Sequence, residues 1–338
     1  MKLSILIPMY NAKDYIGNCL ESLIHQNIPE DDYEIIIMDD GSKDNSVDIV
    51  SEFIKNHKNI KLHKEPNSGA YNTRNKLLKL AKGDYIYNLD ADDYIVHNCL
   101  KELLDCAEQN NLDVIGFKTQ ETSSLENIAL NELISKKHLT LYDGLAFLEA
   151  YPLMRHEPWW YFVRSGFLSE NNLAFNSNQY NADVTFTLKM FLEAKKVGYF
   201  DISIHRYVQS GDSIMRSKDL EIVRKRLEYM QMMILNKSKL INTVKSQSSS
   251  EVLVQNLSHR RDVFTFFNIT KMLRGPFSLS YMKATITKFK DVGAYPMNDF
   301  NRFRYNTFQY RILRKILNNA SMLYFLISVR RIFSKSIK

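Results

Sequence analysis

The first 120 residues alternate short apolar runs with amphipathic stretches, and this alternation constrains the fold more than any other feature. The apolar runs are rich in β-branched residues and occur at 3–8, 33–40, 60–65, 85–93 and 112–118. Continuous apolar runs of this length are typical of strands that are buried on both faces, as in parallel sheets covered by helices. The sequence therefore predicts an α/β fold with a mostly parallel central sheet and flanking helices.

The stretches between these runs carry helical signals. After the second run, Ser42 is the predicted N-cap of a helix, and a further helix is predicted to end at Gly83. After the first run, apolar residues recur at helical spacing, namely Ile16, Leu20, Leu23 and Ile24. The first three predicted strands are thus each followed by a helix, as in repeated βα units.

Polar segments lie at the carboxyl ends of three of the predicted strands. In a parallel sheet, ligands bind outside the carboxyl ends of the strands, so these segments are predicted to meet at one edge of the sheet. The segments are Pro8–Met9–Tyr10–Asn11, Asp39–Asp40 and Asp90–Ala91–Asp92.

The segment after the fourth strand holds three carboxylates, Asp90, Asp92 and Asp93. Side chains two apart on an extended strand share a face, so Asp90 and Asp92 are predicted to point at one ligand and Asp93 to the other side. Clustered carboxylates suit Mg²⁺ or Mn²⁺, which also binds substrate phosphates. A solvated turn is the alternative interpretation, because Asp is common in turns.

Three blocks of sequence together resemble the family 2 nucleotide-sugar glycosyltransferases, the inverting group with a GT-A fold, of the bacterial surface-polysaccharide type. The blocks are "ILIPMYNAKDYIGNCLESLIHQ", "YEIIIMDDGSKDNS" and "NSGAYNTRNKLLKLAKGDYIYNLDADD". The resemblance runs through about residue 118 and resumes more loosely from 157 to about 217. It implies a Rossmann-like GT-A domain at 1–217, with a nucleotide-sugar half at 1–118 and an acceptor half at 119–217. A helical region follows at 218–338.

The resemblance also implies roles for the polar segments in binding a nucleotide-diphosphate sugar. In similar enzymes the P-x-Y-N turn lines the nucleotide base, so Pro8, Tyr10 and Asn11 are expected there, with Tyr10 stacked on the base. Asp40 is expected to accept from a base N–H, and Asp39 to support its loop near the ribose.

The remaining donor contacts implied by the resemblance concern the diphosphate and its metal. Arg74 is similar to the arginine that faces the diphosphate, where a fixed cation is favourable. Asp90, Ala91 and Asp92 match the D-x-D segment that binds ribose and metal. Asp92 is the more direct expected ligand of Mn²⁺ or Mg²⁺.

The expected general base is Asp183, which matches the carboxylate that takes the proton from the acceptor hydroxyl. Ala182 stands where the family commonly has Glu, so Glu157 and Glu170 remain alternative bases. A catalytically inactive nucleotide-sugar-binding or scaffold protein is the alternative function. The segment containing Trp159 and Trp160 is expected to line the acceptor pocket, with core packing as the alternative.

The sequence lacks the motifs that are typical of several other classes of protein. The turn after the first strand has no glycine, which argues against nucleotidyltransferases and dinucleotide oxidoreductases. A processive synthase is expected to carry Q-x-x-R-W and several membrane spans, and neither occurs in the sequence. The three cysteines form no C-x-x-C pair, which favours a reduced, cytoplasmic compartment.

The positive charge is concentrated at the C-terminus. Residues 301–338 contain nine Lys or Arg and no Asp or Glu, whereas residues 1–300 carry a net charge of −2. The pattern over 309–338 predicts an amphipathic helix, with Arg311, Arg314, Lys315 and Asn318 opposite its apolar side.

This tail predicts peripheral binding to an anionic inner membrane face, which suits a lipid-linked acceptor. A chain ending near Phe300 is expected to stay folded. No nucleic-acid-binding fold accompanies the charge, so nucleic acid is not a predicted partner. The sequence leaves a homo-oligomer open.

Overall fold

The computed structural model describes residues 1–126, 128–129, 138–177, 182–209, 220–247, 250–275, 277–299 and 307–335. The chain divides into two compact units, one formed by Met1–Asn178 and Ala182–Asp212 and the other by Gln179–Asn181 and Ser213–Lys338. The domain boundary predicted between 217 and 218 lies outside the described residues. None of the helices in the described ranges is both long enough and apolar enough to cross a membrane.

The first unit is built on a nine-stranded sheet with the order β3-β2-β1-β4-β8-β6-β9-β5, and β7 also pairs with β9. Strands β3, β2, β1 and β4 are parallel, as is the pair β6–β9, whereas β5, β7 and β8 pair antiparallel with their neighbours. The strand–helix alternation predicts β1 to β4 and β6, whereas β9 lies outside the predicted strands. The strands are β1 (Leu3–Met9), β2 (Tyr33–Asp39), β3 (Ile60–Lys64), β4 (Tyr85–Asn88), β5 (Tyr94–Ile95), β6 (Val114–Thr122), β7 (Thr140–Tyr142), β8 (Tyr161–Arg164) and β9 (Val197–Val208).

Seven helices of the described residues accompany this sheet. The apolar residues predicted to form one face of the first helix are buried, as Ile16, Leu20 and Leu23 show. The helices are α1 (Ile16–Ile24), α2 (Ser46–Asn56), α3 (Ala70–Leu80), α4 (Leu100–Gln109), α5 (Gly144–Ala150), α6 (Ser165–Glu170) and α7 (Ala182–Glu193).

The predicted N-cap of α2 is wrong, because the helix begins at Ser46, three residues later than a cap at Ser42 requires. The Ser42 hydroxyl instead accepts a hydrogen bond from the Asn11 backbone N–H at 2.9 Å. The Asp44 carboxylate accepts from the Ser46 backbone N–H at 3.0 Å, at the start of the helix. Ser42 therefore ties the loop after β1 to the loop after β2 rather than capping a helix.

The fourth strand ends earlier than predicted. Strand β4 stops at Asn88, and the Asp93 backbone N–H donates to the Asp90 carbonyl at 3.1 Å, which closes a turn. A short strand, β5, begins directly after this turn. The carboxylate-rich segment is therefore a turn between two strands and not an extended strand end.

The second unit is helical, as predicted for the C-terminal region. Its helices are α8 (Leu220–Gln247), α9 (Glu251–Arg274), α10 (Leu279–Asp291), α11 (Phe308–Asn318) and α12 (Ala320–Lys335). The single helix predicted over 309–338 is thus two helices. Asn319 separates them, because its side-chain oxygen accepts from the Met322 backbone N–H at 3.0 Å and caps α12.

Part of the basic tail belongs to the core of the second unit. Leu317 and Leu323 are fully buried in the same apolar cluster as Phe266 and Ile286. Arg314, predicted to lie on the polar side, is buried and donates to the Met297 carbonyl at 3.0 Å. We therefore expect a chain ending near Phe300 to lose part of this core, which corrects the prediction that it stays folded.

Candidate functional site

Two adjacent carboxylates at the end of β2, Asp39 and Asp40, organise the loops around them. Asp40 accepts from the backbone N–H groups of Ser68 at 2.7 Å and Gly69 at 2.9 Å, directly before α3. Asp39 accepts from the Ser42 backbone N–H at 3.2 Å. A carboxylate has about four lone-pair sites, so Asp40 can hold the helix terminus and still accept from a ligand.

The loop after β1 lies beside these carboxylates. The Asn11 side-chain oxygen accepts from the Lys43 backbone N–H at 2.8 Å, and Asn11 has a positive φ of 48°. Tyr10 is 50% exposed, so its ring is accessible to a ligand. Pro8 lies opposite Met38 in the β1–β2 pair. The structure thus brings the predicted base-binding residues to one edge of the sheet.

Helix α3 joins two predicted site residues that are far apart in sequence. Arg74 forms an ion pair with Asp90, and the Tyr71 hydroxyl donates to the Asp183 carboxylate at 3.0 Å. Tyr71 and Arg74 are three residues apart, which places them on one face of the helix. Phe175 packs against both, with its ring 5.9 Å from that of Tyr71 and 6.0 Å from the Arg74 guanidinium.

Carboxylate oxygens of Asp90, Asp92 and Asp93 lie within 4.8 Å of one another. The turn, rather than strand alternation, brings one oxygen of each residue to this distance, while Asp93 itself is buried and Asp92 is exposed. Desolvation, followed by the charges of Asp90 and Asp93, raises the pKa of Asp92 to about 7. Three acidic groups with one paired arginine leave negative charge that a divalent cation can balance.

Asp93 and His205 form a buried pair behind the other two carboxylates. One Asp93 oxygen accepts from the Val208 backbone N–H at 2.9 Å, and the other lies 3.2 Å from His205 Nε2. Burial raises the pKa of Asp93, and it lowers the pKa of His205 to about 3. The His205 ring stacks on Trp159 with centroids 4.3 Å apart. Strand β9 therefore anchors the carboxylate turn from behind.

The predicted base, Asp183, lies in the first turn of α7. Burial, and then the charge of Glu157, raises its pKa to about 6, while the bond from Tyr71 and the charge of Arg74 lower it. Of the two alternative bases, Glu157 thus lies close enough to influence Asp183. Glu170 is exposed and pairs with Arg164 at 3.1 Å.

The two predicted acceptor residues are buried, with 2% of Trp159 and 4% of Trp160 exposed. The Arg155 guanidinium lies over the Trp159 ring, 5.4 Å from its centroid. The Trp160 indole N–H donates to the Arg155 carbonyl at 3.1 Å. Both rings thus pack into the first unit, and Trp160 also lines a cavity. Their acceptor role stays a prediction.

Three features of this site were missed from the sequence: Tyr71, Arg155, and the inclusion of Asp93 in the carboxylate group. Tyr71 could have been found, because it precedes Arg74 by one helical turn in a segment predicted as a helix. Arg155 could not, because its neighbours Trp159 and Tyr207 come together only when β9 packs beside the carboxylate turn.

Comparison with known proteins gives consistent matches. The model of Glycosyl transferase family 2 matches residues 4–153. The uncharacterized glycosyltransferase YibD of Escherichia coli (strain K12) is 31% identical over 220 residues, which are 64% of this chain and 63% of YibD. The poly(ribitol-phosphate) beta-glucosyltransferase of Bacillus spizizenii is 32% identical over 200 residues, which are 58% of this chain and 30% of that protein. The chain thus spans less than two thirds of these relatives.

Solved structures show the same fold. The crystal structure of S. aureus TarS 1-349 in complex with UDP-GlcNAc aligns with 90% of this chain and 94% of that chain, with a TM-score of 0.58 and 21% sequence identity. The family match, the related sequences and the shared fold agree with the resemblance in the sequence blocks. Residues 4–153 therefore match the family 2 glycosyltransferases, and the chain shares the GT-A fold of the solved structures.

Proposed function

We propose that this chain is an inverting glycosyltransferase that moves one sugar from a nucleotide-diphosphate sugar to a saccharide or lipid-linked saccharide acceptor. The observation that most directly supports this proposal is that one face of α3 contacts both Asp183 and Asp90, through Tyr71 and Arg74. The two contacts support a candidate base that lies close to the candidate donor site. The relative named as a poly(ribitol-phosphate) beta-glucosyltransferase supports a role in bacterial polysaccharide assembly.

The donor nucleotide is held at the ends of β1 and β2. The accessible Tyr10 ring stacks on the base, with Pro8 and Asn11 beside it, and Asp40 accepts from a base N–H. Asp39 keeps its loop in place next to the ribose. Buried Arg74 Nη1 has no hydrogen-bond partner among the described residues, so this donor is available to a diphosphate oxygen.

Asp92 and Asp90 would hold Mn²⁺ or Mg²⁺. Their carboxylate oxygens are the ligand type that these hard cations prefer, and their grouping within 4.8 Å fits a shared ion. When bound, the ion supplies positive charge that stabilises the departing diphosphate. Arg74 contributes a second, permanent positive charge to the same region.

Asp183 acts as the general base. It takes the proton from the acceptor hydroxyl while that oxygen attacks the anomeric carbon from the face opposite the diphosphate, which inverts the configuration. A pKa of about 6 leaves Asp183 mostly ionised at neutral pH and yet basic enough to accept a proton. Tyr71 orients the carboxylate through its hydrogen bond.

The alternative is a nucleotide-sugar-binding scaffold without transfer activity, and Ala182 is the observation that favours it. The two functions differ in turnover. We expect a panel of nucleotide sugars to yield a donor that the wild-type chain hydrolyses slowly in Mn²⁺ or Mg²⁺ and not in excess chelator. The same donor should raise the unfolding temperature. Protection without any turnover, with or without saccharide acceptors, supports the scaffold instead.

A second part of the proposal concerns location, namely docking of the second unit on the anionic inner face of the plasma membrane. Helices α11 and α12 expose large apolar side chains, with 70% of Phe308 and 66% of Phe325 accessible. Exposed Arg311 and Lys315 lie on α11. Each basic residue near an anionic surface contributes about 1 kcal/mol, so several of them beside apolar groups favour reversible binding.

Vesicle sedimentation tests this docking without removing core residues. We expect the full chain to sediment with vesicles rich in phosphatidylglycerol at low salt and to be released as salt rises. The double variant Phe308→Ser/Phe325→Ser and the double variant Arg311→Gln/Lys315→Gln should each reduce sedimentation, while Lys58→Gln in the first unit should not. Equal sedimentation of all four proteins contradicts membrane docking through these helices.

A further inference from the structure

A cavity of about 490 Å³ lies in the first unit and takes no part in the donor site described above. Its lining includes several aromatic residues, and we name it the aromatic cavity after Phe147, Tyr151, Trp160 and Tyr199. Its volume is within the range of about 300–1,000 Å³ that is usual for small-molecule sites. The cavity is therefore large enough for a ring-sized ligand.

The rings that line the aromatic cavity are fixed by contacts with one another. The Tyr151 ring lies 4.8 Å from that of Phe147 and 4.7 Å from that of Tyr199, measured between centroids. Trp160 lies 6.0 Å from Phe147 in a stacked arrangement. A pyranose ring has an apolar face of C–H bonds that packs well on such surfaces, and preorganised rings lose little entropy on binding it.

One polar group in the lining has no partner. The Thr119 hydroxyl is buried and makes no hydrogen bond within the part of the chain that the structure describes. A buried hydroxyl without a partner costs roughly 1–3 kcal/mol, so its presence calls for an explanation. A hydroxyl-bearing ligand in the cavity satisfies it once the Thr119 side chain rotates, because the hydroxyl has no accessible surface in the empty cavity, whereas an isoprenoid chain does not.

The charged residues at the rim are already neutralised. Arg155 pairs with Glu121 at 2.5 Å, and Lys118 pairs with Asp201. Because each cation has a carboxylate partner, the cavity offers little net charge to a phosphate. This pattern favours an uncharged sugar ring over a phosphorylated group.

The aromatic cavity shares a wall with the carboxylate site. Arg155 lines the cavity and lies over the Trp159 ring, and the His205 ring stacks on Trp159. His205 in turn lies 3.2 Å from Asp93. Thr119 on β6 pairs in register with His205 on β9. A ligand in the cavity is thus next to the transfer site but separated from it by one layer of side chains.

We propose that the aromatic cavity binds a pyranose unit of the acceptor glycan, other than the unit that receives the sugar. The inference rests on the proposed transferase function. It adds that the part of the acceptor bound by the enzyme is an uncharged saccharide of at least two units. The Tyr151 ring, the one of the four that is not buried, packs on the C–H face of the unit, and the rotated Thr119 hydroxyl bonds one of its hydroxyl groups.

Saturation-transfer NMR on the full chain tests this site with free glucose, galactose, N-acetylglucosamine and rhamnose as probes. Ribitol, which has no ring, and geraniol, an isoprenoid alcohol, are the competing probes. We expect at least one pyranose to bind at millimolar concentration. Binding only of geraniol or ribitol, or of no pyranose, overturns the proposal.

Substitutions locate the binding. Ala150 is exposed at the rim, so Ala150→Trp fills the cavity without removing core atoms and should abolish pyranose binding. Glu193→Trp places the same ring on an exposed position of α7 outside the lining and should leave binding unchanged. Equal pyranose binding by the Ala150→Trp variant and the wild type overturns the proposal.

Substitution of Thr119 distinguishes a ligand contact from a purely structural role. Thr119→Val should weaken pyranose binding by up to about tenfold, while the free protein unfolds at the same or a higher temperature, because an unsatisfied hydroxyl is removed. Thr119→Ser should keep the affinity. A Thr119→Val variant with unchanged affinity contradicts the proposed contact. Nucleoside diphosphate binding by the wild-type chain is measured separately, so its failure refutes the donor site and leaves the saccharide result independent.

Discussion

The pKa of Asp183 depends on residues that lie far away in the sequence. Its hydrogen-bond partner Tyr71 precedes it by more than a hundred residues, and Glu157 raises its pKa from another segment. The sequence identified the aspartate by its resemblance to a family motif. It could not predict the pKa, because burial and the positions of Tyr71 and Glu157 depend on the folded structure.

Tyr71→Phe should shift the acidic limb of the pH–rate profile for sugar transfer to higher pH. The Tyr71 hydroxyl stabilises the ionised form of Asp183, so its removal raises the pKa of Asp183 above about 6. Since the base must be ionised to accept a proton, the rate falls as pH decreases through this pKa, and the fall should begin at a higher pH in the variant. A pH–rate profile of kcat measures the shift.

The wild-type profile and that of Asp183→Asn are the controls for this prediction. The residual activity of Asp183→Asn should lack the limb near pH 6. Superimposable profiles for wild type and Tyr71→Phe are the result that contradicts the assignment.

The carboxylate turn shows where residue-level reasoning reached the right residues with the wrong geometry. Asp90 and Asp92 were placed together by strand alternation, and this logic put Asp93 on the opposite side. The backbone bond from Asp93 to Asp90 forms a turn that brings one oxygen of each residue within 4.8 Å of the others. The apolar run before them indicates a strand, but it does not reveal where the strand ends.

At the level of elements, periodicity predicted the strands β1 to β4 and β6 and the first three helices, but not β9. It did not predict the antiparallel strands β5, β7 and β8, because these are short and their pairing partners are distant. In the second unit, the two-helix tail was missed because Asn319 breaks the pattern only through its capping bond. Local sequence patterns were thus sufficient to predict regular βα units. They failed where a single side-chain hydrogen bond determines the end of a helix.

Helix α3 depends on Asp40 at its N-terminus. Asp40→Ala removes the acceptor of two backbone N–H groups and should lower the free energy of unfolding of the first unit by about 0.5–2 kcal/mol. Asp40→Asn keeps one acceptor oxygen, so its loss should be smaller. Urea unfolding, monitored by the tryptophans of that unit, measures both values.

The exposed Asp31→Ala is the matched control for the Asp40 variants and should leave the midpoint unchanged. If Asp40→Ala were as stable as this control, Asp40 would not hold the helix terminus. Its carboxylate would then be free to serve the nucleotide base alone.

On the scale of the whole molecule, charge is divided between the two ends of the chain. The first 300 residues carry a net charge of −2, with unbalanced carboxylates at the site, and the last 38 carry nine basic residues. Composition predicted this division correctly. It did not predict that Arg314, Leu317 and Leu323 belong to a core, because that depends on how the helices of the second unit pack.

The carboxylate group makes the stability of the free protein depend on pH. The pKa of an unfolded Asp is about 3.9, and the folded pKa of Asp92 is about 7. Between these values the folded state binds more protons, so the free energy of unfolding should fall as pH rises from about 4 to about 7. Mn²⁺ binds the ionised carboxylates, so its stabilising effect should be larger at pH 8 than at pH 6.

Thermal unfolding at the two pH values, in chelator and in Mn²⁺, measures this effect. Asp92→Asn is the control, because it removes one ligand charge and should reduce the gain from Mn²⁺ at pH 8. An equal gain at both pH values, or an unchanged gain in Asp92→Asn, would show that the ion binds elsewhere.

The most direct test of the central claim compares the wild-type chain with Asp183→Asn once a donor has been identified. Calorimetry measures binding of the nucleoside diphosphate in Mn²⁺, and product analysis measures sugar transfer. The account predicts equal binding, while transfer by Asp183→Asn is lower by about 10²–10⁴-fold, the usual contribution of a positioned base. Transfer by Asp183→Asn at the wild-type rate would contradict it.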